Sequence, residues 1–355
     1  MWAELQYLRA VFDSPERQLL GLSDMEVVSV SGRDYLLVAG AADAGLSSFE
    51  ILGDGSLIAS DDVFWSTVSG TEAVNDLSIF VTGGSTYVLS SGKSDDNQVV
   101  YEIGADGTFP VANTYSDAAS TYANWELTTA VEVGGNGFLF GSKWGSPGFF
   151  RFDLADGGAL TNPVLINDTG EMFLGDVSAI ESSVLHGKTF MFVASALDTG
   201  LHSYGVDADG SLTLLDTIAA ADVGFSAITA MEAVDVGQRA FVIVASAGTD
   251  SLLVMRVSEW GMMNLVERLI DTSETRFAGV TALEVFEAEG RYFLLAGGSD
   301  DGITLFEITY KGQLDALTTV VDSADITLQN ITDIEATVIG NTVNIFVSSA
   351  TDHGF

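Results

Sequence analysis

One turn recurs along the chain at a nearly fixed interval, and this repeat limits the folds open to the sequence more than any other feature. The clearest copies are Gly-Asp-Gly-Ser-Leu at 53–57, Ala-Asp-Gly-Thr-Phe at 105–109 and Ala-Asp-Gly-Ser-Leu at 208–212. Weaker copies complete a series of six glycines with spacings of 52, 51, 52, 51 and 51 residues: Gly55, Gly107, Gly158, Gly210, Gly261 and Gly312. A period of this length is the signature of a repeat architecture.

A second motif runs in phase with the first and reads small polar residue, any residue, aliphatic residue, glutamate. Its six glutamates are Glu26, Glu132, Glu181, Glu232, Glu284 and Glu335. A seventh copy, at 75–78, ends in serine instead. The 309 residues from Glu26 to Glu335 correspond to six periods of 51.5 residues. The motif therefore predicts seven repeats.

Each repeat contains four short segments with strand character, and no segment has a sustained helical period of apolar residues. Glycine in the intervening turns supplies the positive φ that tight hairpins need. Seven such repeats predict an all-β, seven-bladed β-propeller of four-stranded antiparallel blades in one domain, residues 1–355. The predicted blades are 24–66, 75–116, 127–168, 177–219, 228–271, 280–322, and 332–355 together with 2–14.

The two ends of the sequence are predicted to share the last blade. Residues 5–14 align without gaps with 314–323, the outer strand of the sixth repeat, so we expect the N-terminal strand to close the last blade. At the other end, 352–355 match only the start of a third strand. Either more chain follows Phe355, or a strand from another copy fills the slot and forms a homo-oligomer by strand donation.

Charge and composition exclude several functional classes. The chain has 13 Lys and Arg against 50 Asp and Glu, a formal charge of −37. Such a field repels phosphate backbones and anionic headgroups, so we expect no nucleic-acid binding. No apolar run approaches the roughly 18 residues of a membrane span, so we expect no membrane insertion. The absence of cysteine excludes a disulfide framework and a thiolate site.

A strand ending in Phe-x-Ile or Tyr-x-Val, followed by an Asp-Gly-x-Leu turn, resembles the seven-bladed propellers of the 6-phosphogluconolactonase-like (lactonase) group. The residues that carry this resemblance are 49–51 with 54–57, and 204–206 with 209–212. The acidic, lysine-poor composition, without an N-terminal signal peptide, also resembles the propeller-like N-terminal region of bacterial RTX-type secreted calcium-binding proteins. This second resemblance implies an extracellular or cell-surface location, type I-like secretion, and calcium repeats in a continuation of the chain.

The periodic glutamates are the most suggestive chemistry in the sequence. If they lie on the innermost strands, six carboxylates surround a central channel, where they would attract a cation such as calcium. Their mutual repulsion would then raise some of their pKa values. The alternative is a repeated structural role, in which each carboxylate accepts hydrogen bonds from backbone or Ser/Thr groups at the inner edge of its blade.

Two tryptophans outside the repeat consensus are candidates for a binding surface, because additions to a repeat are where such surfaces tend to form. Trp125 lies in an insertion-like approach to the third blade, and Trp144 replaces the usual turn of its blade. Exposed aromatic side chains there would bind a protein or a glycan. Packing between blades is the alternative role.

No catalytic residue is predicted, since the sequence has neither a nucleophile elbow nor histidines at metal-ligand spacing. The expected function is a non-catalytic binding or assembly module of a secreted or surface RTX-type protein. One alternative is a lactonase-like hydrolase acting at one mouth of the channel. Another is a self-assembling structural subunit that uses strand donation at the open last blade.

Overall fold

The structure is a computed structural model, and it is almost entirely β. It describes residues 5–14, 17, 19–42, 45–64, 74–92, 97–116, 121–169, 172–197, 200–323, 326, 328–340, 342–351 and 354–355. Two compact units are distinguished by their internal contacts. Across the described ranges, no helix combines the length and the hydrophobicity that a membrane crossing requires.

The first unit comprises residues 11–166, 337–344 and 353–355 and contains three four-stranded antiparallel blades, each in simple sequential order. Blade 1 consists of β1 (Leu22–Val30), β2 (Arg33–Gly40), β3 (Gly45–Ile51) and β4 (Leu57–Phe64). Blade 2 consists of β5 (Asp76–Thr82), β6 (Ser85–Ser91), β7 (Asn97–Glu102) and β8 (Val111–Ser116). Blade 3 consists of β9 (Trp125–Val133), β10 (Asn136–Lys143), β11 (Ser146–Ala155) and β12 (Ala159–Ile166).

The second unit comprises residues 1–10, 167–336 and 345–352 and contains three further blades of the same kind. Blade 4 consists of β13 (Val177–Leu185), β14 (Lys188–Ser195), β15 (Gly200–Val206) and β16 (Leu212–Ala219), followed by a one-turn helix, α1 (Ala220–Val223). Blade 5 consists of β17 (Ile228–Val236), β18 (Arg239–Ser246), β19 (Ser251–Val257) and β20 (Met263–Ile270). Blade 6 consists of β21 (Val280–Ala288), β22 (Arg291–Gly298), β23 (Gly302–Ile308) and β24 (Leu314–Val321).

The core forms where neighbouring blades face each other, because their middle strands are apolar on both faces. In β18, every residue after Arg239 is buried, whereas β20 at the outer edge is largely exposed. Phe190 and Phe192 of blade 4 pack in one cluster with Val242 and Val244 of blade 5. Continuous apolar runs in the sequence therefore mark the strands that are covered on both sides.

The periodic turn glycines are required for two reasons. Gly312 has φ +82°, a conformation that side chains other than glycine rarely adopt, and a Cβ there would lie 2.4 Å from Cε1 of Phe241 in the preceding blade. Gly107 has φ +80° and stands in the same relation to Tyr35, at 2.5 Å. The turns of blades 2 and 6 thus rest on an aromatic ring of the blade before them.

The seventh repeat departs from the predicted architecture. Its described residues form only a two-stranded sheet, β25 (Ile331–Ile339) with β26 (Thr342–Ser349). The prediction of seven four-stranded blades is therefore wrong, and the described chain is an all-β propeller with six such blades. Phe12 and Gly354 form an isolated antiparallel bridge rather than a strand pair, so the predicted closure by an N-terminal strand is wrong too.

The sequence supplies a physical reason for this difference. Gly354 and Phe355 lie at the positions where the third strand of this repeat begins, and the N-terminal segment pairs with them there. Val11 and Phe355 exchange two backbone hydrogen bonds of 2.8 and 3.1 Å. The bridge has the register of Gly302 and Val321 in blade 6, so the alignment of 5–14 with 314–323 does identify equivalent positions.

Candidate functional site

Four of the predicted glutamates occupy one structural position in the second unit. Each is the fifth residue of the first strand of its repeat, and the first strands of blades 4, 5 and 6 lie side by side. The four residues are Glu181 on β13, Glu232 on β17, Glu284 on β21 and Glu335 on β25. The structure therefore places these carboxylates on the first strands of successive repeats.

The carboxylates of Glu181 and Glu284 are bound to the backbone of the next repeat. The N–H of Ala336 donates to Oε1 of Glu284 over 3.1 Å, and the N–H of Ala233 donates to Glu181 in the same way. Each carboxylate also accepts from the N–H of the residue that follows it. These bonds connect a strand to its neighbour, which is the structural role that the sequence left open.

Burial raises the pKa of both Glu181 and Glu284 to about 8, and the backbone N–H donors oppose this only in part. The negative charges of Asp333 and Glu181 raise the pKa of Glu284 further. Repulsion between carboxylates therefore contributes, as expected, but desolvation is the larger cause. Burial therefore favours the protonated form of both side chains.

The small polar residue of the motif makes the second connection between blades. A shift in strand register falls between Ile228 and Ala230, at Thr229. The Thr229 hydroxyl donates to the carbonyl of Val280, 2.6 Å away in the next blade. Thr281 donates to the carbonyl of Ile331 in the same manner. The whole motif therefore joins adjacent inner strands.

No group of three or more Asp, Glu or His side chains with the geometry of a metal site is present within the described ranges. The periodic glutamates thus lie on neighbouring strands, but they do not form a cluster of calcium ligands within the described ranges. Calcium binding by the periodic glutamates stays a prediction.

Glu132 does not belong to this set, which corrects the sequence alignment. It is the eighth residue of β9, is exposed, and pairs with Gly137 beside the hairpin turn. The fifth residue of β9 is Thr129, which lies 103 residues, or two periods, after Glu26. Matching the motif by residue type therefore aligned Glu132 with Glu26, three positions beyond Thr129, which is the equivalent residue in the strand.

In the first unit, aspartates make the corresponding connections between blades. Asp24 accepts a hydrogen bond of 2.6 Å from the N–H of Leu77, and Asp76 accepts one of 3.0 Å from the N–H of Thr128. Glu26, the fifth residue of β1, is half-buried. Asp24 and Asp76 in the first unit therefore do what Glu181 and Glu284 do in the second: each accepts a hydrogen bond from the backbone of the next repeat.

Trp125 is not part of a binding surface, because its side chain is fully buried. Its ring packs on Phe152, and its Nε1–H donates to the carbonyl of Thr121 over 3.0 Å. Trp125 is the first residue of β9, whereas β1, β13, β17, β21 and β25 begin with a buried aliphatic residue, so its departure from the consensus reflects core packing. Trp144 lies in the β10–β11 turn and is 61% exposed.

Two further aromatic residues are exposed in turns of the second unit. Trp260, between β19 and β20, is 67% exposed, and Tyr310, between β23 and β24, is 60% exposed. The Lys188 ammonium lies 4.5 Å from the centre of the Trp260 ring, and the Arg239 guanidinium lies 5.0 Å from that of Tyr310. The sequence signal was available, since Trp260 replaces the aspartate of the repeated Asp-Gly turn.

Comparison with known proteins supports the fold. No protein-family model and no curated protein matches the chain. Among solved structures, a protein from Lactobacillus plantarum matches with a TM-score of 0.66 at 16% identity, over 96% of this chain and 90% of that one. The periplasmic gluconolactonase PpgL of Pseudomonas aeruginosa matches with a TM-score of 0.62 at 18% identity, over 90% and 87%.

A putative 6-phosphogluconolactonase from Bacteroides uniformis ATCC 8492 matches with a TM-score of 0.62 at 18% identity, over 81% of this chain and 82% of that one. At such low identity, structural similarity reports on architecture and not on activity. The structural neighbours, among which are proteins named as lactonases, thus show that the chain has a β-propeller fold.

Proposed function

We propose that this propeller is a non-catalytic binding module. The observation that supports the proposal is how the chain uses its polar and aromatic residues. The repeated carboxyl groups, represented by Glu181 and Glu284, are engaged by backbone N–H groups of neighbouring blades. Aromatic side chains that the core does not use, Trp144, Trp260 and Tyr310, are instead exposed in turns. Exposed aromatic rings on rigid turns are suited to binding a ligand.

Binding is tested by incubating the purified chain with an array of immobilised neutral and acidic glycans and with candidate secreted proteins. Saturable binding to at least one of them is expected. Failure to bind any of them, by a chain that is folded by circular dichroism, would argue against a binding module. Trp144→Ala then shows whether the turn predicted from the sequence takes part.

A lactonase-like hydrolase is the second candidate. It is favoured by the name of the Pseudomonas aeruginosa neighbour and by the raised pKa of Glu284, since a carboxyl group that is protonated at neutral pH can act as a general acid. The test is to follow acid release from glucono-δ-lactone and 6-phosphoglucono-δ-lactone. We expect the spontaneous rate. A faster rate that Glu284→Gln abolishes, and that Glu287→Gln on the same strand retains, would establish the hydrolase.

The context of the module is also part of the proposal. We infer from the acidic, lysine-poor composition that the chain belongs to a secreted or surface protein of the RTX type. Fractionation of the native cells is expected to place it in the medium or on the surface, and an exclusively cytoplasmic location would contradict this. Strand-donated assembly predicts that the molar mass measured by light scattering rises with concentration, and calcium binding predicts a rise in Tm at millimolar calcium.

A further inference from the structure

Two exposed aromatic turns in adjacent blades of the second unit share one construction. In each, a cation from the hairpin between the first two strands of one blade reaches the turn between the last two strands of the next. Lys188 Nζ donates to the carbonyl of Glu259 over 2.7 Å and lies over Trp260. Arg239 donates to the carbonyl of Tyr310 over 3.3 Å and lies over its ring. We name Lys188, Arg239, Trp260 and Tyr310 the aromatic turn surface.

The aromatic residues are not needed to form these turns. In blade 1, Asp54 closes the corresponding turn by accepting from the N–H of Ser56 over 2.9 Å. In blade 5, the Ser258 hydroxyl takes over and accepts from the N–H groups of Trp260 and Met262, at 3.3 and 3.0 Å. The side chain at position 260 therefore does not have to accept the hydrogen bond that closes the turn. The exposed Trp260 ring is therefore available to contact a ligand without loss of the turn.

The turns are also rigid, which lowers the entropic cost of binding through them. A Cβ on Gly261 would lie 2.4 Å from Leu215 and 3.1 Å from Phe190, so this turn is seated firmly on blade 4. Gly312 is seated on Phe241 in the same way. Trp260 and Tyr310 are therefore presented on backbone that is held by the core.

We propose that the aromatic turn surface binds a neutral glycan. Sugar rings have apolar C–H faces that stack on exposed Trp and Tyr rings, while their hydroxyl groups accept hydrogen bonds from Lys and Arg. The net charge of −37 repels acidic polymers, and a neutral polymer has no such penalty. Two separate rings, one on each of two consecutive blades, suit a ligand that itself repeats.

This inference rests on the proposed binding function and specifies its ligand and its surface. Isothermal titration with cellohexaose, chitohexaose, xylohexaose and mannohexaose is compared with titration of alginate hexamer, which is acidic. We expect saturable binding of at least one neutral hexamer and none of alginate. Tryptophan fluorescence should change on binding, because stacking removes Trp260 from water while the buried Trp125 is unaffected.

Variants locate the site. Trp260→Ala and Tyr310→Ala should each weaken binding about tenfold and the double variant about a hundredfold, as expected for two independent aromatic contacts. Trp260→Phe should retain part of the affinity. Val81→Ala, which removes a similarly exposed apolar side chain from β5, outside the aromatic turn surface, should leave the affinity unchanged. All the substituted side chains are exposed, so folding is expected to be preserved, and circular dichroism confirms it.

The outcomes separate this inference from the proposed function. Equal binding by wild type and the Trp260→Ala, Tyr310→Ala double variant would overturn the surface but leave the binding function in place. Binding of alginate, or of a protein but no neutral glycan, would overturn the ligand class. Cleavage of the hexamer, or turnover of a lactone, would overturn the non-catalytic function itself.

Discussion

Replacing Gly312 by alanine tests how far the propeller depends on contacts between consecutive blades. The added Cβ would lie 2.4, 2.8 and 3.0 Å from three atoms of the Phe241 ring, which is fully buried. Alanine at φ +82° costs about 1–2 kcal/mol, and forcing a methyl group against a packed ring costs about 1–3 kcal/mol more. Gly312→Ala should therefore lower the free energy of unfolding by about 2–5 kcal/mol.

Gly290→Ala is the matched control within the same blade. Gly290 has φ +72°, and its Cβ would meet no heavy atom within 4 Å, so only the backbone cost of about 1–2 kcal/mol applies. Urea unfolding followed by tryptophan fluorescence gives both values. In a Phe241→Leu background, part of the penalty of Gly312→Ala should disappear. Equal losses for Gly312→Ala and Gly290→Ala would refute the packing argument.

Further predictions concern titration, hydrogen bonding and charge. Folding raises the pKa values of Glu181 and Glu284 from 4.5 to about 8. Their contribution to stability is therefore complete below about pH 4.5 and is lost as the pH rises to about 8, so the Tm should fall over this range. The double Gln variant should show a smaller fall in Tm. Thr229→Val should cost about 1 kcal/mol in urea unfolding, and the exposed Thr213→Val less than about 0.5 kcal/mol. Asn344→Leu should stabilise by about 1–2 kcal/mol in the same assay, because both amide atoms are buried without a hydrogen-bond partner in the described part of the chain. Raising NaCl from about 0.05 to about 0.5 M should raise the Tm by screening the net charge, and an unchanged Tm would count against self-repulsion.

The architecture could be predicted where it depends on local requirements that repeat. Gly107 and Gly312 recur in the sequence because no other residue fits their positions. Their backbone has a positive φ, and an aromatic ring of the preceding blade lies against them. The alternation of apolar strands and turns identified four strands per repeat correctly for six repeats. The last repeat could not be predicted by extrapolating the period, because blade formation needs partners for every strand and not only a matching sequence.

The candidate site shows where residue type is a poor guide. Glu132 matched the glutamate motif in letters, but strand pairing places Thr129 at the equivalent position. Trp125 looked like an addition to the repeat, yet it fills the core position that aliphatic residues occupy in five other first strands. In both cases the deciding information was the register of a strand, which depends on contacts with a neighbouring strand and is absent from a short motif.

Repetition and departure from repetition therefore have different meanings in this chain. A group that recurs in successive repeats, such as Glu181 and Glu284, binds the backbone of the next repeat, and its chemistry is used there. A residue that departs from the repeat consensus has one of two physical origins, and whether its side chain is buried or exposed distinguishes them. Trp125 is buried and compensates for the local shape of the core, whereas Trp260 is exposed in a turn that Ser258 already closes. Only the second kind of departure leaves a side chain free to contact a ligand, which is why the exposed turns carry the functional proposal.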